Sequence, residues 1–210
     1  KTAPMGIVLP AVLTLILFVI TIFNYIIPVI ETNLMDRKRE MIRELTTTAV
    51  SAIEAFAAKH ASGELSLAQA QQEAIAHLRQ WRYGGDAKDY FWINDTHPRI
   101  IMHPYRADLE GQDISDYTDP NGKHLFIEFV EVVKRQGAGY VDYQWQWQDE
   151  ADKIVPKISY VMGFAPWNWI IGTGIYVEDV RQEIAALTRK LTYVCLAITG
   201  LLIGLTAFII

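Results

Sequence analysis

The sequence predicts an α+β chain: a five-stranded antiparallel sheet with a long N-terminal helix, flanked by two transmembrane helices. Three observations point there. Residues 2–30 and 191–210 carry no charge, and about 20 helical residues suffice to cross the roughly 30 Å hydrocarbon layer of a bilayer. The 160 or so residues between them are enough to bury a core. Within that middle region the hydrophobic period switches from helical to alternating.

The first apolar run is longer than the core of a signal peptide and has no small-x-small site before Glu31, so residues 5–30 read as an uncleaved span. From Glu31 to about His60 a helix continues: Leu34, Met41, Leu45, Ile53 and Phe56 recur near helical spacing, with charges on the other faces. Gly63 marks its stop. Ser66 with Gln69 three residues on forms a capping box that opens a second helix through Ala74, Ile75, Leu78 and Trp81. Gly84-Gly85 breaks it.

The strands follow. Tyr90 to Ile93 is an aromatic, β-branched run ended by Asn94-Asp95, and Arg99 to His103 should pair with it across a turn at His97-Pro98. A long loop ends in the turn signal Asp119-Pro120-Asn121-Gly122. Leu125 to Lys134 is a short amphipathic helix closed by Gly137 and Gly139. Residues 140–148 alternate, and 155–164 and 169–176 supply two more strands. A polar helix, residues 181–190 with a start at Asp179, runs into the second span at 191–210. Five strands joined by hairpins and one helical crossover make a PAS-like sheet, and both spans enter residues 31–180 through helices.

Composition excludes several classes. A net charge of -5, from 19 Lys and Arg against 24 acids, leaves no basic face for nucleic acid. A single cysteine, Cys195, permits no disulfide within the chain and no cysteine-based metal site. No nucleophile–base pair, metal cluster or phosphate loop appears, so neither an enzyme nor a cofactor is expected. The side of the membrane stays open on charge alone: Arg37, Lys38, Arg39 and Arg43 follow the first span, but long domains cross regardless of charge. The chain stops at Ile210 without the basic flank that usually ends a span, so further residues are expected beyond it.

Five segments in order carry a resemblance: Tyr90 to Asp95, Met102-His103-Pro104, Asp119 to Lys123, Pro156 to Val161, and Pro166 to Tyr176. Together they resemble the single Cache (sCache) sensory domain of bacterial chemoreceptors and sensor histidine kinases. One departure is the hairpin at residues 148–153, which lacks the expected Pro and Gly. The resemblance implies a domain outside the cytoplasmic membrane, in a two-pass receptor that acts as a homodimer. Its ligand would be a small carboxylate of the acetate, propionate, pyruvate or lactate kind, and chemotaxis or kinase output would follow the second span. A membrane-anchored scaffold or adhesion module that senses nothing is the alternative.

A small carboxylate needs a fixed cation or N–H donors and dry walls. Lys157, mid-strand between apolar residues, is the leading candidate, because a buried lysine is costly without an anion. The competing reading is an outward lysine on an edge strand. If residues opposed across the hairpin sum to an even number, Lys157 and Ser159 share a face with Tyr143 and Trp145; an odd sum weakens the case. His103 can donate to a carboxylate or merely bond nearby backbone. Arg82 is a clamp or, slightly favoured, a loop anchor. Tyr90 and Trp92 share one strand face, and Tyr143 and Tyr160 bring hydroxyls that need partners when buried. Gly172 and Gly174 are read as room for an approaching helix.

Overall fold

A computed structural model describes residues 3–209 of the 210-residue chain. Helix α1 (Ala3–Thr21) passes through one π turn (Ile22–Ile26) into α2 (Ile27–Ala61). Pro28 has no N–H to donate to the carbonyl of Asn24, and the helix widens just before it, with Ile27 N–H donating to Ile22 O. By length and composition, segments within Val12–Ala61 and Val177–Leu205 are long and apolar enough to cross a membrane. The terminal segments form one compact unit, in which Ile22 and Ile27 pack with Ile184 and Cys195.

Arg37–Glu178 form the second unit. After α2, Gly63 takes a left-handed φ of 80°, and α3 (Leu67–Arg79) starts on the expected capping box. Ser66 Oγ accepts from Gln69 N–H, and Gln69 Oε1 accepts from Ser66 N–H. Then come β1 (Arg82–Tyr83), β2 (Asp89–Asp95), β3 (Ile100–Met102), α4 (Leu125–Gln136), β4 (Ala138–Trp147), β5 (Glu150–Phe164) and β6 (Trp169–Tyr176). Helix α5 (Val177–Ile209) follows β6 with no residue between.

The sheet is antiparallel with order β1-β2-β6-β5-β4, and β3 also pairs β2. The five expected strands form. The sixth, β1, has only two residues, Arg82 and Tyr83 opposite Tyr90 and Asp89, too few to show an alternation.

Alternation sorts two cores onto the two faces. Phe91, Ile93, Ile171 and Met162 meet α2 and α3 through Ala49, Val50, Ile53, Ala74 and Leu78. Tyr90, Trp92, Tyr143, Trp145 and Val161 meet α4 through Leu125, Phe126 and Phe129. The β4–β5 register sets Tyr143 opposite Lys157, an even sum, so Lys157 belongs to the α4 face. The hairpin lacking Pro and Gly turns on Gln148, a non-glycine residue at φ 49°, after a register shift between Gln146 and Trp147.

Candidate functional site

The Lys157 side chain is 1% exposed. Its cross-strand neighbours are Tyr143 on β4 and Tyr176 on β6. The ammonium donates to Tyr90 Oη at 2.9 Å and to Tyr176 Oη at 3.4 Å. It also lies 4.1, 4.6 and 5.5 Å from the ring centroids of Tyr90, Tyr176 and Trp92, within cation–π range. Burial, then Tyr176 and Tyr143, hold the Tyr90 phenol well above its ordinary pKa, so it stays protonated.

Tyr176 joins this amine to the β4–β5 turn. Its hydroxyl donates to Gln146 O at 3.0 Å and accepts from Gln148 N–H at 2.8 Å. Tyr176 is also the residue immediately before α5. Sequence reasoning missed it because a tyrosine ending a strand looks like ordinary core.

His103, 2% exposed, faces the Tyr90 ring at 4.8 Å and Trp145 at 5.6 Å. Its Nδ1 accepts from Tyr105 N–H at 3.2 Å, which assigns the ring proton to Nε2. Burial first, then the positive charges of Lys157 and Arg106, push its pKa well below the usual imidazole value. The ring is therefore neutral and offers one N–H. A second donor is Trp145 Nε1, which is buried, has no hydrogen-bond partner within 3.5 Å among the described residues, and acts on the Tyr90 hydroxyl from a longer distance. A buried N–H left unmade is expensive.

Tyr90, Trp92, His103, Tyr143 and Trp145, with Leu125, Phe126 and Phe129 of α4, line a narrow hollow. Nowhere is it wide enough for a water molecule. Tyr143 Oη is already bonded to Ser159 Oγ at 2.9 Å. Trp92 Nε1 donates to Asn94 Oδ1 at 3.3 Å, so Trp92 contributes its ring as wall.

Three expected residues do not line the hollow. Lys157 meets its wall at the Tyr90 hydroxyl but lines a separate, more open recess with Asp119, Gln144 and Pro156. Tyr160 is an odd number of residues from Lys157 and so faces the other side of the sheet, its ring 4.8 Å from Tyr140. Arg82 donates to the carbonyls of Arg79 and Trp81, both at 2.8 Å, and its guanidinium lies 5.4 Å from the Tyr105 ring. It anchors the end of α3.

Gly172 and Gly174 also differ from expectation. A Cβ on Gly172 would lie 2.3 Å from the Trp92 ring, and one on Gly174 would lie 2.2 Å from Ser159 Oγ and 3.0 Å from Lys157 Cε. These glycines make room for the residues around the amine, not for a helix. Among the described residues, no three His, Cys, Asp or Glu are placed to hold a metal ion.

Comparison with known proteins gives a consistent picture. Residues 34–190 match the family model described as Single Cache domain 2. Methyl-accepting chemotaxis protein McpP of Pseudomonas putida is 40% identical over 178 residues, 85% of this chain and 32% of its own. Sensor histidine kinase MctS of Rhizobium johnstonii is 33% identical over 156 residues, 74% of this chain and 32% of its own. The chain thus spans about a third of the length of these curated relatives. A solved periplasmic sensor domain of a chemotaxis protein is 44% identical with a TM-score of 0.65, covering 69% of this chain and 97% of that one. A Cache chemosensory domain solved to explain carboxylic acid recognition is 41% identical, also with a TM-score of 0.65, covering 70% and 97%.

Proposed function

The chain belongs to the single Cache domain 2 family, and from that membership we propose that Arg37–Glu178 receives a C2–C3 carboxylate such as acetate, propionate, pyruvate or lactate. The domain lies outside the cytoplasmic membrane, in a two-pass homodimeric receptor whose output is chemotaxis or kinase signalling. The observation that carries this reading is the buried Lys157 ammonium bonded to Tyr90 Oη, the hydroxyl of a wall of the ring-lined hollow that also holds the buried Trp145 Nε1. The ammonium donates to the Tyr90 and Tyr176 hydroxyls, and a carboxylate at that end of the hollow gains charge-assisted hydrogen bonds, roughly twice as strong as neutral ones. His103 Nε2–H and Trp145 Nε1–H supply the remaining donors. A scaffold module has no use for such a set. The hollow is too narrow even for water as it stands, far below the roughly 300–1,000 Å³ of drug-sized sites, so only a ligand of few atoms fits with a small opening of its walls. A solved relative named for carboxylic acid recognition points the same way.

Because the hollow has no room even for a water molecule, entry of a ligand requires its walls to part. Ligand contact at Lys157 then alters what Tyr176 holds, and β6 passes directly into α5. The test is thermal melting of the full chain in nanodiscs with acetate, propionate, pyruvate and lactate. Ligand at 100 times Kd should add about 2.7 kcal/mol of stability and raise the midpoint. No rise with any of the four contradicts the proposal.

A further inference from the structure

The hollow has two chemically different ends. Six rings form a closed circuit of edge and tilted contacts: His103 to Tyr90 at 4.8 Å, Tyr90 to Trp92 at 6.4 Å, Trp92 to Phe129 at 5.6 Å. Phe129 to Phe126 at 5.4 Å, Phe126 to Trp145 at 5.7 Å and Trp145 to His103 at 5.6 Å close it. Three steps from His103 in either direction is Phe129, and three steps from Tyr90 is Phe126. Every polar group of the circuit that can meet a carboxylate lies on the His103, Tyr90 and Trp145 side, with Lys157 against Tyr90. The opposite side is two phenylalanines of α4.

We infer that Phe129, seconded by Phe126, is the chain-length gauge of this site and limits it to the shortest carboxylates. The inference rests on the carboxylate reading above. With its oxygens on the donors, a ligand must point its carbon chain at Phe129, which is 0% exposed and held on three sides by Trp92, Phe126 and Tyr143. Each added methylene must displace that ring. The helix makes the position rigid: Leu125, Phe126 and Phe129 share the inner face of α4.

The test is calorimetric titration of the full chain in nanodiscs with acetate, propionate, butyrate and valerate. The readout is the ratio of Kd for butyrate to Kd for propionate. Wild type should prefer propionate by about tenfold or more, the usual worth of one methylene that a pocket rejects. In Phe129→Ala the ratio should fall to near one or invert, and in Phe129→Leu it should fall part of the way. An unchanged ratio, or a uniform loss of affinity for all four acids, overturns the inference and leaves the carboxylate reading standing. Should Phe129→Ala fail to fold, the Phe129→Leu ratio decides alone. Wild type binding none of the four removes the carboxylate reading, and the gauge with it.

Discussion

At the scale of single residues, Lys157 separates function from stability. Its ammonium is buried among rings, so Lys157→Met keeps the length of the stem and removes a charge that is costly to desolvate. The thermal midpoint should hold or rise. Propionate affinity should fall by about thirtyfold or more, since losing one partner of a buried charge pair costs about 2–5 kcal/mol. A Met variant that binds like wild type would remove Lys157 from the site. His103 gives a pH signature. Its folded pKa is depressed while the unfolded ring titrates near 6.5. As pH falls below that value the unfolded chain takes up a proton that the folded one refuses. Stability therefore drops with falling pH, by at most about 1.4 kcal/mol per unit. Lys157, Arg106 and Arg79 reinforce the shift and Asp108 opposes it. Thermal midpoints between about pH 6.5 and pH 5 should slope in wild type and flatten in His103→Gln; equal slopes would contradict the assignment.

At the scale of elements, β6 is built around absences. Gly174→Ala would set a Cβ 2.6 Å from the carbonyl oxygen of Ile158, a backbone atom that cannot swing aside, as well as against Ser159 Oγ. Overpacking of this kind costs about 1–3 kcal/mol, and it should also weaken ligand binding through Lys157. Ser66→Ala is the contrast. Loss of the α3 cap should cost about 1 kcal/mol and leave propionate affinity unchanged, as measured by melting and titration of the same samples. The α3 cap was legible because its signature is local: Ser66 and Gln69 are three residues apart. The Lys157 face was decidable only as a parity, and the pairing of Tyr143 with Lys157 resolves it. Tyr160 fails the same parity, which the alternation of one strand already implied. Tyr176 and the two glycines were not legible. Their roles arise from contacts across three strands, and no local pattern distinguishes a glycine beneath a helix from one beneath an indole. The two-residue β1 is too short to leave any period.

At the scale of the whole molecule, the sensor domain lies between two terminal helices long and apolar enough to span a bilayer. The proposed topology puts the domain outside the cytoplasmic membrane. Ser62 is exposed just after α2, whereas the native Cys195 is buried within the second apolar segment. Ser62→Cys should therefore react with a membrane-impermeant maleimide on intact spheroplasts; reaction only after lysis would reverse the topology. The central claim is that a fixed ammonium in a dry aromatic setting selects an anion. Its most direct test is a calorimetric titration of the full chain with propionate and, side by side, with its uncharged counterpart propionamide. The account predicts saturable binding of the acid and none of the amide. Equal binding of the two, or binding of neither, would contradict it.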